Sequence, residues 1–100
     1  SAGDKTVYVA AFGERAALRG LKILQDLRLA GIRAVTDFRS ATLKAHLRQA
    51  DRFTCRYTLI LGDDELDKGS AILRNMETKD QQDIPLSTLV ASLSARVLAS

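Results

Sequence analysis

Tryptophan is absent from this 100-residue chain, and cysteine, histidine, methionine and proline each occur once. A single cysteine cannot close an internal disulfide, and Cys55 with one His46 cannot build a zinc site. Cys55 reads instead as a small buried or half-buried side chain in a reducing, cytoplasmic compartment. No apolar run approaches the roughly 18 residues of a membrane span, and no signal-peptide pattern opens the chain. Repeats and low-complexity segments are also missing. No GxGxxG, GKS or GKT marks a nucleotide loop. The Phe12-Gly13-Glu14-Arg15 junction leads a strand into a helix N-terminus, where an anion can bind, but Glu14 would repel one and instead complements the helix dipole. His46 and Cys55 fit no motif that sets a thiolate beside a base, so His46 reads as a partly exposed helix residue. Asp63, Asp64, Glu65 and Asp67 lack the twelve-residue spacing and central glycine of an EF-hand. The sequence therefore offers no catalytic set, no metal centre and no cofactor site of its own.

What is present suits one domain. With 46% hydrophobic residues, a chain this long can bury a core without disulfide or metal. Residues 1–5 (SAGDK) carry no fold signal and read as a linker remnant or the edge of a cut in a longer protein; residues 6–100 form the domain. The net charge of +3 is unevenly placed. Up to Arg56 there are 11 Lys/Arg against 5 Asp/Glu; from Tyr57 onward there are 4 against 7. A basic first half is compatible with an anionic partner and equally with an Arg-rich solvated surface.

Thr6 to Phe12 is a short apolar run stopped by Gly13, which predicts a buried strand. Glu14 to Ala30 follows as a helix with Ala17, Leu21, Leu24 and Leu27 on its inner face, capped by Gly31. Gly20 inside this helix lowers its propensity by about 1 kcal/mol, which suggests close approach to a strand. Ile32 to Thr36 is a second strand, so the first two are parallel with a right-handed crossover. Ser40 is placed to cap a helix over Ala41 to Asp51, with Leu43, Leu47 and Ala50 inward. Lys44, Arg48 and Arg52 line another face, with Arg39 just upstream. Arg56 to Leu61 is the third strand. The acidic elbow from Gly62 to Lys68 is too short for a crossover helix, so Gly69 to Met76 returns antiparallel, and Gln81 to Ile84 is a fifth strand. From Pro85, a closing helix carries Leu86, Leu89, Val90, Leu93 and Val97 as its stripe. The expected fold is α/β: a five-stranded mixed sheet of order 2-1-3-4-5 with three helices, its first three strands parallel and its last two antiparallel.

The stretch from Leu59 to Gln81 places Glu65 in the elbow and Arg74 on the following strand. A carboxylate accepts from base amino or imino groups, an arginine donates to base acceptors, and basic side chains hold phosphates. Glu65, Arg74 and the Arg39, Lys44 and Arg48 set supply all three kinds of group. They are equally consistent with surface ion pairs and a solvated helix face.

Several segments together resemble a known family. VYV near the start, LRLAGI, LKAHLRQAD, LILGDDEL and GSAILRNMETKDQ occur in the order and spacing of the C-terminal anticodon-binding domain of class II aminoacyl-tRNA synthetases, most closely its histidyl branch. The resemblance runs from about Val7 to Leu93. It implies binding of the anticodon stem-loop of tRNA(His), with anticodon GUG, and contact of Glu65 and Arg74 with anticodon bases. It also implies a parent enzyme, a homodimer using ATP and Mg2+, whose catalytic domain is not in this chain. Where relatives often have glycine in the turn after Thr78, this chain has Lys79, a change expected to affect turn geometry. The alternative is a synthetase-like docking module that binds a protein.

Overall fold

The computed structural model describes residues 5–98. Most of the expected linker remnant, residues 1–4, lies outside the described residues. β1 (Val7–Phe12) lies inside the sheet, its run of Val7 to Ala10 buried on both sides, the pattern of a strand covered by helices on each face. It pairs in parallel with β2 (Ala34–Val35) on one side and with β3 (Tyr57–Gly62) on the other. β4 (Ser70–Asn75) returns antiparallel to β3, and β5 (Gln81–Pro85) is antiparallel to β4. The order is therefore the expected 2-1-3-4-5.

Alternation along the strands sorts the core into two layers. Val7, Val9, Leu59, Leu61, Leu73 and Ile84 face one side, under α1 (Glu14–Leu29) and α4 (Leu89–Leu98). Tyr8 and Ala10 face the other, under α2 (Leu43–Arg52), with Ala50 and Cys55. A single 3-10 turn, Leu86–Thr88, leads from Pro85 into α4, whose Leu89, Leu93 and Val97 are buried as expected.

Four expectations need correction. The elbow is helical: α3 spans Asp63–Lys68, so the described residues form four α-helices, the added one too short to cross the sheet. α1 turns Ala16, Gly20, Ile23, Leu24 and Leu27 inward, while Ala17 and Leu21 are exposed. Small residues win the inner face because the helix lies close on β1. A Cβ on Gly20 would sit 3.1 Å from Ala11 Cβ and 3.5 Å from Val9 Cγ1. The β1–β2 ladder covers only Val7↔Ala34 and Tyr8↔Val35; the Thr36 hydroxyl then bonds Val9 O at 2.6 Å in place of a further strand pair. Finally, α2 is capped by Thr42, whose Oγ1 accepts from Ala45 N at 3.1 Å, not by Ser40. Its inward line is His46 and Ala50, and Leu43 is 42% exposed. Histidine counts as polar in any apolar stripe, yet this one is only 3% exposed because Tyr8 supplies a partner, its hydroxyl 2.7 Å from Nδ1.

Candidate nucleic-acid interface

The acidic elbow turns two of its carboxylates inward. Asp63 Oδ1 accepts from Ala16 N at 3.2 Å in the first turn of α1. Gly13, at φ 95°, makes this possible: a Cβ there would meet the Asp63 carboxylate at 2.8 Å. The anion position weighed at the Gly13 junction is thus occupied by the protein's own carboxylate, delivered by the end of β3. Arg15 reaches over to Asp67 at 3.0 Å and locks the same corner. Glu65 Oε1 accepts from the Gly62 N–H at 2.7 Å. That bond fixes the side chain against the start of α3.

Arg74 stands elsewhere. It pairs with Thr58 on β3 and Gln81 on β5, on the face opposite α1 and α4. Its NH1 donates to Gln81 Oε1 at 3.0 Å, while its buried Nε has no partner among the described residues. Thr58 precedes Gly62 by four strand residues, a distance along the sheet of roughly 13 Å at about 3.3 Å per residue. Glu65 and Arg74 therefore stand well apart along the sheet. α2 packs on β1 and β3; on that same face β4 and β5 present Ile72, Arg74, Gln81 and Asp83, half-buried or exposed.

The basic set also divides. At 100° per residue, Lys44 and Arg48 each lie about 160° around α2 from the inward His46, and both are exposed. Arg39 sits before the helix, its backbone N–H and Nε both on Asp37 Oδ1, at 2.9 and 3.3 Å. These contacts, with the backbone N–H the foremost, hold the Asp37 carboxyl below the ordinary range.

The loop that carries Arg39 also borders a cavity. Beyond the short β1–β2 ladder, Asp37, Phe38, Ser40 and His46 border this cavity of about 90 Å³, lined also by Gly20 and Leu21 of α1. Phe38 is 76% exposed, and a loop aromatic flanked by Asp37 and Arg39 was the one signal available. Burial pushes the His46 imidazole pKa down, and its Nε2 is buried with no partner among the described residues. Cys55 is buried, and burial pushes its thiol up to about 11, away from the thiolate that a nucleophile needs.

A family model described as an anticodon binding domain matches residues 6–96. The chain belongs to this family. The anticodon binding domain is 39% identical over 87 residues to histidine–tRNA ligase of Acetivibrio thermocellus, covering 87% of the chain and 21% of the relative. It is 40% identical over 90 residues to the enzyme of Halalkalibacterium halodurans, covering 90% and 21%. It superimposes on apo histidyl-tRNA synthetase of S. aureus with a TM-score of 0.85 at 30% identity, covering 91% of the chain and 27% of that structure. The domain thus spans about a fifth of the length of the curated relatives it matches. Among its described residues, no helix is long and apolar enough to cross a membrane.

Proposed function

We propose that this domain binds the anticodon stem-loop of tRNA(His), anticodon GUG, as part of a histidyl-tRNA synthetase. The observation that carries the reading is its similarity to histidine–tRNA ligases over 87–90% of its own length. The geometry supports it. Lys44 and Arg48 offer cations for phosphates on the outer face of α2, and Arg39 does so from the preceding loop. Arg74 offers donors on the uncovered part of the sheet, and Glu65 keeps a carboxylate at the sheet's C-terminal edge. Phosphate contacts position the loop, and base contacts sort its sequence. Because Glu65 and Arg74 stand apart, each meets a different nucleotide. In this reading the domain needs no cofactor. ATP and Mg2+ serve a separate catalytic domain, and the parent enzyme is a cytoplasmic homodimer.

The test is titration of the chain with a GUG stem-loop and with scrambled loops at two salt concentrations. Tighter binding of GUG at both is expected. Equal affinity for every loop would overturn the anticodon assignment.

A further inference from the structure

The cavity beside Phe38 has the features of a base pocket, and neither Glu65 nor Arg74 reaches it. It opens at the outer edge of β1, where the β2 ladder has stopped after Tyr8↔Val35. Its volume of about 90 Å³ is several times the roughly 10–15 Å³ that one water requires. Val9, Ala11, Ala17, Gly20 and Leu21 make part of its lining apolar, and the exposed Phe38 adds an aromatic ring. Four polar residues stand in its wall; the Thr36 and Ser40 hydroxyls donate to Val9 O and Asp37, which leaves Asp37 and His46. The Asp37 side chain, only 10% exposed, is an acceptor with lone pairs beyond those given to Arg39 and Ser40. His46 has one nitrogen on Tyr8 and the other without a partner among the described residues. When the Tyr8 hydroxyl donates to Nδ1, Nε2 carries a proton, so this wall sets a donor beside an acceptor. Every nucleobase presents a donor beside an acceptor along its Watson–Crick edge, which an unpaired loop base leaves open. Arg39, its side chain 90% exposed, and Lys44 flank the loop and supply cations for a backbone running past it.

We propose that this cavity takes one unpaired nucleobase of an RNA loop, stacked on Phe38 with its edge turned to Asp37 and His46. The inference rests on the anticodon reading above and adds a second base contact at the same C-terminal edge of the sheet as Glu65. Aromatic platforms that leave one face open, next to hydrogen-bonding groups and cations, are how proteins hold splayed single-stranded bases. A peptide would bring backbone donors and acceptors in both directions but no need for the flanking cations.

A double-perturbation titration tests it. Wild-type chain, Phe38→Ala and Asp37→Asn are each titrated with the GUG stem-loop and with a series in which one loop nucleotide at a time is abasic. Phe38 is exposed, so its truncation leaves the fold intact, and Asp37→Asn keeps an acceptor for the Arg39 N–H. Phe38→Ala is expected to weaken the intact loop about tenfold, in the range of one lost base stack. One abasic position should weaken wild type by a similar factor and leave Phe38→Ala with no further loss. Losses that multiply at every position, or an unchanged affinity of both variants while wild type still prefers GUG, would overturn the pocket and leave the anticodon reading standing. Failure of wild type to bind any loop overturns both.

Discussion

The carboxylate of Asp63, one residue past β3, accepts the backbone N–H of Ala16 in the first turn of α1 at 3.2 Å. This bond joins the ends of two adjacent parallel strands, since Phe12 and Gly62 are register partners. It also satisfies one of the N–H groups a helix start leaves open. Asp63→Ala is expected to lower stability by about 1–2 kcal/mol, the usual cost of losing a cap. Asp67→Ala removes only an exposed ion pair with Arg15 and should cost under about 1 kcal/mol. Urea unfolding of both variants checks the ranking. A larger loss from Asp67→Ala would mean that the corner is held by charge rather than by the cap.

The buried His46 makes stability depend on pH in a defined direction. Burial depresses its folded-state pKa below 6.5. Between that depressed value and 6.5 the unfolded chain binds a proton that the folded chain does not, so stability falls as pH drops below about 6.5. The slope is at most about 1.4 kcal/mol per pH unit for one group. Asp37 acts in a separate window, because its lowered pKa withdraws stability only below 3.8. Unfolding midpoints at pH 7.5 and pH 5.5 should therefore differ in wild type and converge in His46→Gln. An equal drop in the variant would assign the effect elsewhere.

Gly20 tests the closeness of α1 to the sheet. Alanine there improves helix propensity by about 1 kcal/mol, but its Cβ would lie 3.1 Å from Ala11 Cβ, a group fixed to β1. Overpacking of this kind costs about 1–3 kcal/mol, so Gly20→Ala should be net destabilising by about 1 kcal/mol. A denaturation midpoint that rises would show that the helix moves outward freely.

Binding variants separate the two kinds of RNA contact. Arg74→Ala should weaken the GUG loop by about 1–3 kcal/mol, the range of one good base contact, and should erode the preference over scrambled loops. Lys44→Ala should weaken all loops alike and reduce the slope of log affinity against log salt by about 1. Glu65 calls for Gln rather than Ala in the same assay, since Ala would also remove the acceptor of the Gly62 N–H. An Arg74→Ala chain that retains full preference for GUG would take Arg74 out of base recognition.

The strand order was legible because β1 and β3 are short apolar runs, and because helical connections call for parallel right-handed crossovers while short ones call for antiparallel returns. Helix faces were less legible. Leucines lie on both sides of α1, and burial goes to Ala16 and Gly20 because β1 is close, which no propensity scale encodes. The buried His46 was hidden for the same reason: its partner, Tyr8, is 38 residues away in sequence. The resemblance singled out Glu65 and Arg74, but the eight residues between them pass through a helix and a turn. Their separation along the sheet emerged only with the register. The cavity at Phe38 depends on where the β2 ladder ends, and the sequence had extended that strand to Thr36.

Lys79 sits in the turn between β4 and β5 with φ at 70°, where the resemblance led to an expectation of glycine. The turn is otherwise well made. Asn75 Oδ1 accepts from Glu77 N and Thr78 N, at 2.9 and 3.0 Å, and Lys79 N donates to Asn75 O at 2.8 Å. A left-handed conformation costs an L-residue about 1–2 kcal/mol, and glycine gives back about 0.5–1 kcal/mol of this through its freer unfolded state. Lys79→Gly is therefore expected to stabilise the domain by up to about 1 kcal/mol, and Lys79→Ala, which keeps the Cβ, should not. The side chain is exposed, so no packing is lost in either variant. Parallel urea titrations of the two decide the matter. Equal midpoints would mean that the hydrogen bonds from Asn75, and not the backbone angle at residue 79, set the energy of this turn.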